Sequence, residues 1–189
     1  ISIPIINDLV VEGTENFTVT LSSPVGATIA VPTATGNITD DDQVTFNISG
    51  TPSVTEGGSA TYTINYTGTL AVGQTATVNY ATGTAAGGAA DATPGTDYTA
   101  IASTLLTFTG GGPTSQTVTV NTLDDFLAEP TEDFQVILIP GSNSANSLIG
   151  TGSATTNILD NEPTISINDV IQPEGTVGGN ITDFTFTVT

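Results

Sequence analysis

The chain contains no Lys, no Arg and no His. Its 189 residues carry 12 Asp and 7 Glu, for a formal charge of −19. No side chain can therefore close a salt bridge, whereas an average chain holds charges of both signs at about 25% of its residues. Cys, Met and Trp are absent as well. Without Cys there is no disulfide and no thiolate metal site. Without His, Cys or Lys there is no nucleophile–base pair, so the chain is read as not an enzyme. Paired carboxylates can hydrolyse glycosides, but no Trp is present to stack on a sugar and nothing marks a cleft. The lack of cations argues against nucleic acid and anionic membranes as partners. No apolar run approaches the roughly 20 residues of a membrane span, so direct membrane insertion is not expected. No basic stretch leads into an apolar one, so no signal peptide is visible.

What remains is Thr, Val, Gly, Asn and Ala, with apolar positions recurring at period two. "ATYTINY" (60–66), "ATVNYAT" (76–82), "TVTVNTL" (117–123) and "DFQVILI" (133–139) read as strands. "GTLAVGQ", "TGGGPTSQ" and "PGSNSANS" read as the turns between them. Evenly spaced strands of this kind predict an all-β antiparallel sandwich.

The sequence also repeats. "INDLVVEGTENF" (6–17) matches "LDDFLAEPTEDF" (123–134) at an offset of 117. "ITDDDQ" (38–43) matches "ILDNEP" (158–163) at an offset of 120. "VTEGG" (54–58) echoes "QPEGT" (172–176), and "ATYTIN" (60–65) echoes "FTFTVT" (184–189). A repeat of about 120 residues is a normal domain size. The expected organisation is the C-terminal part of one repeat (1–43), a complete repeat (44–163) and the N-terminal part of a third (164–189). No linker separates them, and the chain reads as an excerpt from something longer.

In the complete repeat the expected strands are 44–55 (with a break near Gly50-Thr51-Pro52), 59–67, 75–82, 103–108, 117–123, 132–139 and 150–159. If successive strands alternate in direction, the first, third, fifth and seventh end at one pole. Glu56 follows the first, Asp97 the third, Asp124, Asp125 and Glu129 the fifth, and Asp160 and Glu162 the seventh. The loops of the other pole, 68–74, 109–116 and 140–149, contain no acid. Convergent carboxylates with no cation to pair make a hard-oxygen site. Ca²⁺ accepts six to eight oxygens in flexible geometry, at about 2.3–2.6 Å, and suits a loop cluster better than octahedral Mg²⁺. Zinc is disfavoured without His or Cys. The number of acids suggests more than one Ca²⁺ per complete repeat. The competing reading is a solvated acidic face of the salt-adapted kind.

The first repeat carries the same set. Asp8, Glu12 and Glu15 match Asp125, Glu129 and Glu132, while Asp40, Asp41 and Asp42 match Asp160, Asn161 and Glu162. In the third, Glu174 matches Glu56. Phe17, Tyr62, Val78, Phe108 and Phe134 are expected in the core, and Tyr98 as a packing residue.

"VTEGG", "VNYATGTA…PGTDY", "LDDFLAEPTEDF" and "NILDNE", in this order and spacing, resemble a Calx-beta domain across the whole complete repeat. The resemblance implies a tandem, seven-stranded, immunoglobulin-like β-sandwich that binds Ca²⁺ at one pole. It carries ligand positions over to Glu56, Asp97, Asp124, Asp125, Glu129 and Asp160. It implies a non-catalytic structural module of a long extracellular filament or adhesin on a bacterial cell surface. Neighbouring repeats of the same chain, and identical chains in a filament, are the expected partners. A calcium-sensing regulatory domain, or a passive spacer of a secreted enzyme or a salt-adapted surface layer, are the alternatives.

Overall fold

The computed structural model describes residues 1–85, 90–173 and 183–189. The first segment, 1–43, contributes β1 (Val10–Val11), β2 (Glu15–Thr20) and β3 (Thr33–Ile38). The central segment opens with β4 (Val44–Gly50), β5 (Ser53–Thr55), β6 (Ser59–Thr67), β7 (Thr69–Leu70) and β8 (Thr75–Gly83). It continues with β9 (Ala90–Asp91), β10 (Thr104–Thr109), β11 (Ser115–Asn121), β12 (Glu132–Leu138), β13 (Ser147–Ile149) and β14 (Ser153–Leu159). Among the described residues there is no helix.

Two sheets make the sandwich. One has the order β10-β8-β12-β14-β5, with β9 added beside β12, and the other has the order β11-β6-β4-β13. Period-two alternation drives the pairing: in β6, Ala60, Tyr62, Ile64 and Tyr66 point inward while the residues between them face out. Tyr62 meets Phe134 across the sheets at 6.4 Å between ring centroids. Phe108 meets Phe46 at 5.6 Å and Tyr66 at 5.4 Å. These offset and edge-on contacts fill the core, and Val78 is fully buried among them. The Tyr62 hydroxyl, also inside, is satisfied by Thr156.

The expected break in the first strand is a change of sheet. β4 pairs with β6 in one sheet, and β5 pairs in parallel with β14 in the other. Gly50 marks the crossing, because a Cβ there would lie 2.2 Å from the Tyr62 ring. The seventh strand, expected over 150–159, is β14 and starts three residues late, and a further short strand, β13, lies ahead of it in the stretch expected as the loop 140–149. β13 joins β4, and β14 joins β12, on either side of Gly150–Gly152. The remaining strands fall within two residues of their expected bounds.

The sheet pairings fix the directions. In one sheet β4, β11 and β13 run against β6, and in the other β5, β8 and β14 run against β9, β10 and β12. The chain passes straight from β4 to β5, with Thr51 N still donating to Thr61 O and Asn157 N to Pro52 O, so β4 and β5 share a direction. The loops after β5, β8, β11 and β14 therefore share one pole, as the alternation predicts.

The flanking segments reproduce parts of this frame. β2 and β3 pair as a hairpin, as β12 and β14 do. Ile167 bridges Val188, as Ile48 pairs with Ile64. Phe17 departs from expectation. It is half-buried, not enclosed like its counterpart Phe134, because the β2–β3 hairpin has only those two strands and no second sheet over it.

Candidate metal centre

The turn after β5 sets the first group of acids. Glu56 N donates to Leu159 O (3.1 Å), which ties the turn to the end of β14. Thr122, buried beside it, accepts from Gly58 N at 3.0 Å and donates to Thr55 O at 3.2 Å. Its own N–H donates to Gly58 O at 3.0 Å. Gly57 takes a left-handed φ of +69°, and a Cβ on it would stand 3.1 Å from Asp124 Cβ. The "TEGG" turn thus brings Glu56 over Asp124 only because residue 57 has no side chain. Gly57→Ala is expected to lower the unfolding free energy by about 1–2 kcal/mol, read from the denaturant midpoint.

Glu56, Asp124 and Glu162 each present a carboxylate oxygen within 4.8 Å of the other two. Asn161 Nδ2 donates to Asp124 Oδ1 at 3.0 Å and orients it. Glu56 Oε2 and Glu162 Oε2 are shielded from water and have no hydrogen-bond partner. Desolvation pushes the Glu56 carboxyl up to about 7, helped by the charges of Glu162, Asp160, Asp125 and Glu129. Glu162 is raised by desolvation and by its hydrogen bond with Asp160.

A second group joins Asp97, Glu129 and Glu132, again with oxygens within 4.8 Å of one another. Asp97 closes a turn in which its N–H donates to Thr93 O at 3.0 Å, and its carbonyl accepts from Leu123 N at 2.9 Å. Tyr98, next in sequence, stacks on Phe134 at 4.5 Å and anchors that turn to the core, the packing role expected of it. Asp160 Oδ1 accepts from Glu129 N at 3.1 Å, which fixes the loop carrying Glu129. Asp125 Oδ1 accepts from Leu127 N at 2.7 Å and shapes the same loop. Desolvation, with the hydrogen bond and charge of Asp97, pushes Glu132 up to about 7. Glu129 is raised by desolvation and by Asp125, Asp97 and Asp160.

Of the seven acids expected at this pole, five fall directly into the two groups: Glu56, Asp124 and Glu162 in one, Asp97 and Glu129 in the other. Asp125 and Asp160 lie beside them as loop-shaping carboxylates. Glu132 was not expected as a ligand. Its match to Glu15 in the repeat is the available signal, but the alternation of 132–139 assigns it to the strand and not to the pole.

The first segment rebuilds the same scaffold. Asp8 Oδ1 accepts from Val10 N at 2.9 Å, as Asp125 does from Leu127. Asp40 Oδ2 accepts from Glu12 N at 3.2 Å, as Asp160 does from Glu129. Asp8, Glu12, Asp40, Asp41 and Asp42 line one cleft. Desolvation raises the carboxyls of Glu12 and Asp42, with further contributions from their acidic neighbours. Among the described residues, no three of these acids converge as tightly as in the central segment. Glu174 lies outside the described residues.

The donor sets suit a hard cation. All six groups offer oxygen only, and two oxygens on one Ca²⁺ at about 2.4 Å stand no more than roughly 4.8 Å apart. Carboxylates in mutual contact are relieved by a proton or by a metal between them, and Glu56 Oε2 and Glu162 Oε2, shielded from water, have no hydrogen-bond partner of their own.

A two-sheet sandwich with its carboxylates gathered at one pole defines an all-β module with an acidic end. The Calx-beta domain model matches residues 1–43 and again 39–162, and the chain belongs to the Calx-beta domain family. That family is calcium-related and non-catalytic. No curated protein matches the chain. Among the described residues no helix is long and apolar enough to cross a membrane.

Proposed function

We propose that the chain is a calcium-stabilised structural module of an extracellular filament or adhesin. Glu56, Asp124 and Glu162 hold one Ca²⁺, and Asp97, Glu129 and Glu132 hold a second. Asp125 and Asp160 keep the loops in place and lower the local potential. The observation that carries this reading is the pair of oxygen-only triads at one pole, with buried oxygens that no donor satisfies. Asp8, Glu12 and Asp40–Asp42 line a looser acidic cleft at the joint ahead of the central segment.

Position gives the ions a structural task. The acids of 1–43 abut the acid-free pole of the central segment, where Gln43 Nε2 donates to Ala145 O (3.2 Å) and Val44 N to Asn146 O (3.1 Å). An ion held there removes the self-repulsion of the joint and stiffens it. Successive repeats, taken as 1–43, 44–163 and 164–189, then string together pole to pole without linkers.

Titration calorimetry with CaCl₂ tests the reading. Binding is expected at about 10⁻⁴–10⁻³ M, the range of extracellular modules. Asp97→Asn and Asp124→Asn should each remove one class of site and leave the other. A flat titration of the unsubstituted chain would rule out the calcium reading.

A further inference from the structure

β1 belongs by sequence to the first segment, but it does not pair within it. Val10 and Val11 pair in parallel with Thr69 and Leu70 of the central segment. Ala71 N donates to Val11 O at 3.0 Å and extends the bridge. Val11 is 1% exposed and belongs to the same buried cluster as Leu70, Phe46 and Phe108. Its neighbour Leu9 is 79% exposed. One residue of an acidic loop thus enters the hydrophobic core of the repeat that follows.

The loop's own carboxylates present it. Asp8 holds Val10 N and Asp40 holds Glu12 N, so the backbone on both sides of Val11 is fixed from the first segment. The contact is therefore a shaped peg in a defined hole, not loose apolar association. Two ladder positions, one further backbone bond and one buried side chain give it direction and register.

We infer that Val10 and Val11 are a plug that completes the core of the following repeat. The stability of 44–163 then depends on a residue outside it, and the two units melt as neighbours with a shared core. This goes beyond the calcium reading and does not require it. The plug is defined by apolar burial and backbone pairing, both independent of any ion.

The tyrosines make the test local. All four, Tyr62, Tyr66, Tyr80 and Tyr98, lie in the central segment, and there is no Trp. Tyrosine fluorescence therefore reports the unfolding of 44–163 alone. The full chain is melted in chelator as wild type, Val11→Ala, Val11→Ser and, as control, Leu9→Ala. The tyrosine midpoint is expected to fall by about 5 °C for Val11→Ala and further for Val11→Ser, with Leu9→Ala unchanged. Equal midpoints for the Val11 variants and the control would overturn the plug. So would a fall seen by far-ultraviolet circular dichroism but not by tyrosine. Because no Ca²⁺ is added, a flat calcium titration and a failed plug are separate outcomes.

Discussion

In 10 mM CaCl₂ the tyrosine-monitored melting midpoint is expected to stand about 10–20 °C above that in chelator. Two ions at affinities of about 10⁻⁴–10⁻³ M each contribute roughly 1.4–2.7 kcal/mol at that concentration, through binding to the folded state alone. The physical source is the removal of an existing penalty. Glu56, Asp124 and Glu162 crowd like charges into one corner, and no cationic side chain exists anywhere in the chain to relieve them. Sodium chloride is the discriminating control. A solvated acidic face is relieved by any screening salt, since the Debye length falls from about 10 Å at 0.1 M to about 3 Å at 1 M. A coordinating site is not. If 1 M NaCl in chelator reproduces the full rise, the acids are a screened surface and not a metal centre. Magnesium should give a smaller rise than calcium, because it holds its waters and demands stricter octahedral geometry.

The same corner explains which features were legible in the sequence. The period-two strands and the repeat offsets require no tertiary information, and strand parity turned them into a pole. The parity argument survives although the first strand changes sheet and the seventh is preceded by a short strand, β13, in the other sheet. A crossing at Gly50 or at Gly150–Gly152 moves the strand sideways without reversing it. Direction decides the pole, so the loops after β5, β8, β11 and β14 still share one end.

Glu132 was missed because it sits at the first position of β12, where strand and loop cannot be told apart by alternation. Its carboxylate reaches the pole from the strand itself. Val11 was hidden for a different reason. Its partner, Thr69–Leu70, is a two-residue strand in what reads as a turn, and a parallel bridge of that length leaves no periodicity. Phe17 was expected in a core by analogy with Phe134. Enclosure, however, is a property of the second sheet, which a local pattern does not encode.

Raising the pH from 5 to 8 in chelator is expected to lower the melting midpoint of the central segment by roughly 10 °C at low ionic strength. Glu56 and Glu132 titrate at about 7 in the folded chain against an ordinary 4.5, so the folded state holds more protons than the unfolded one between those values. Stability is then greatest below about 4.5, falls as the pH rises towards 7, and stays low above it. Calcium at the proposed sites would alter this slope, because a cation takes the same oxygens only after their protons leave. With 10 mM CaCl₂ the loss of protons is matched by a gain in affinity across the same window, and the midpoint is expected to hold level or rise. The two curves should therefore separate as the pH increases, lying closest at pH 5 and furthest apart at pH 8. Parallel curves at all pH values would mean that the proton and the ion do not compete, and that the raised carboxyls are not the ligands. Glu56→Gln adds a check on the residue. It should flatten the chelator curve by removing one titrating group, and it should also shrink the calcium-dependent gap at pH 8. A merely repulsive carboxylate would do only the first.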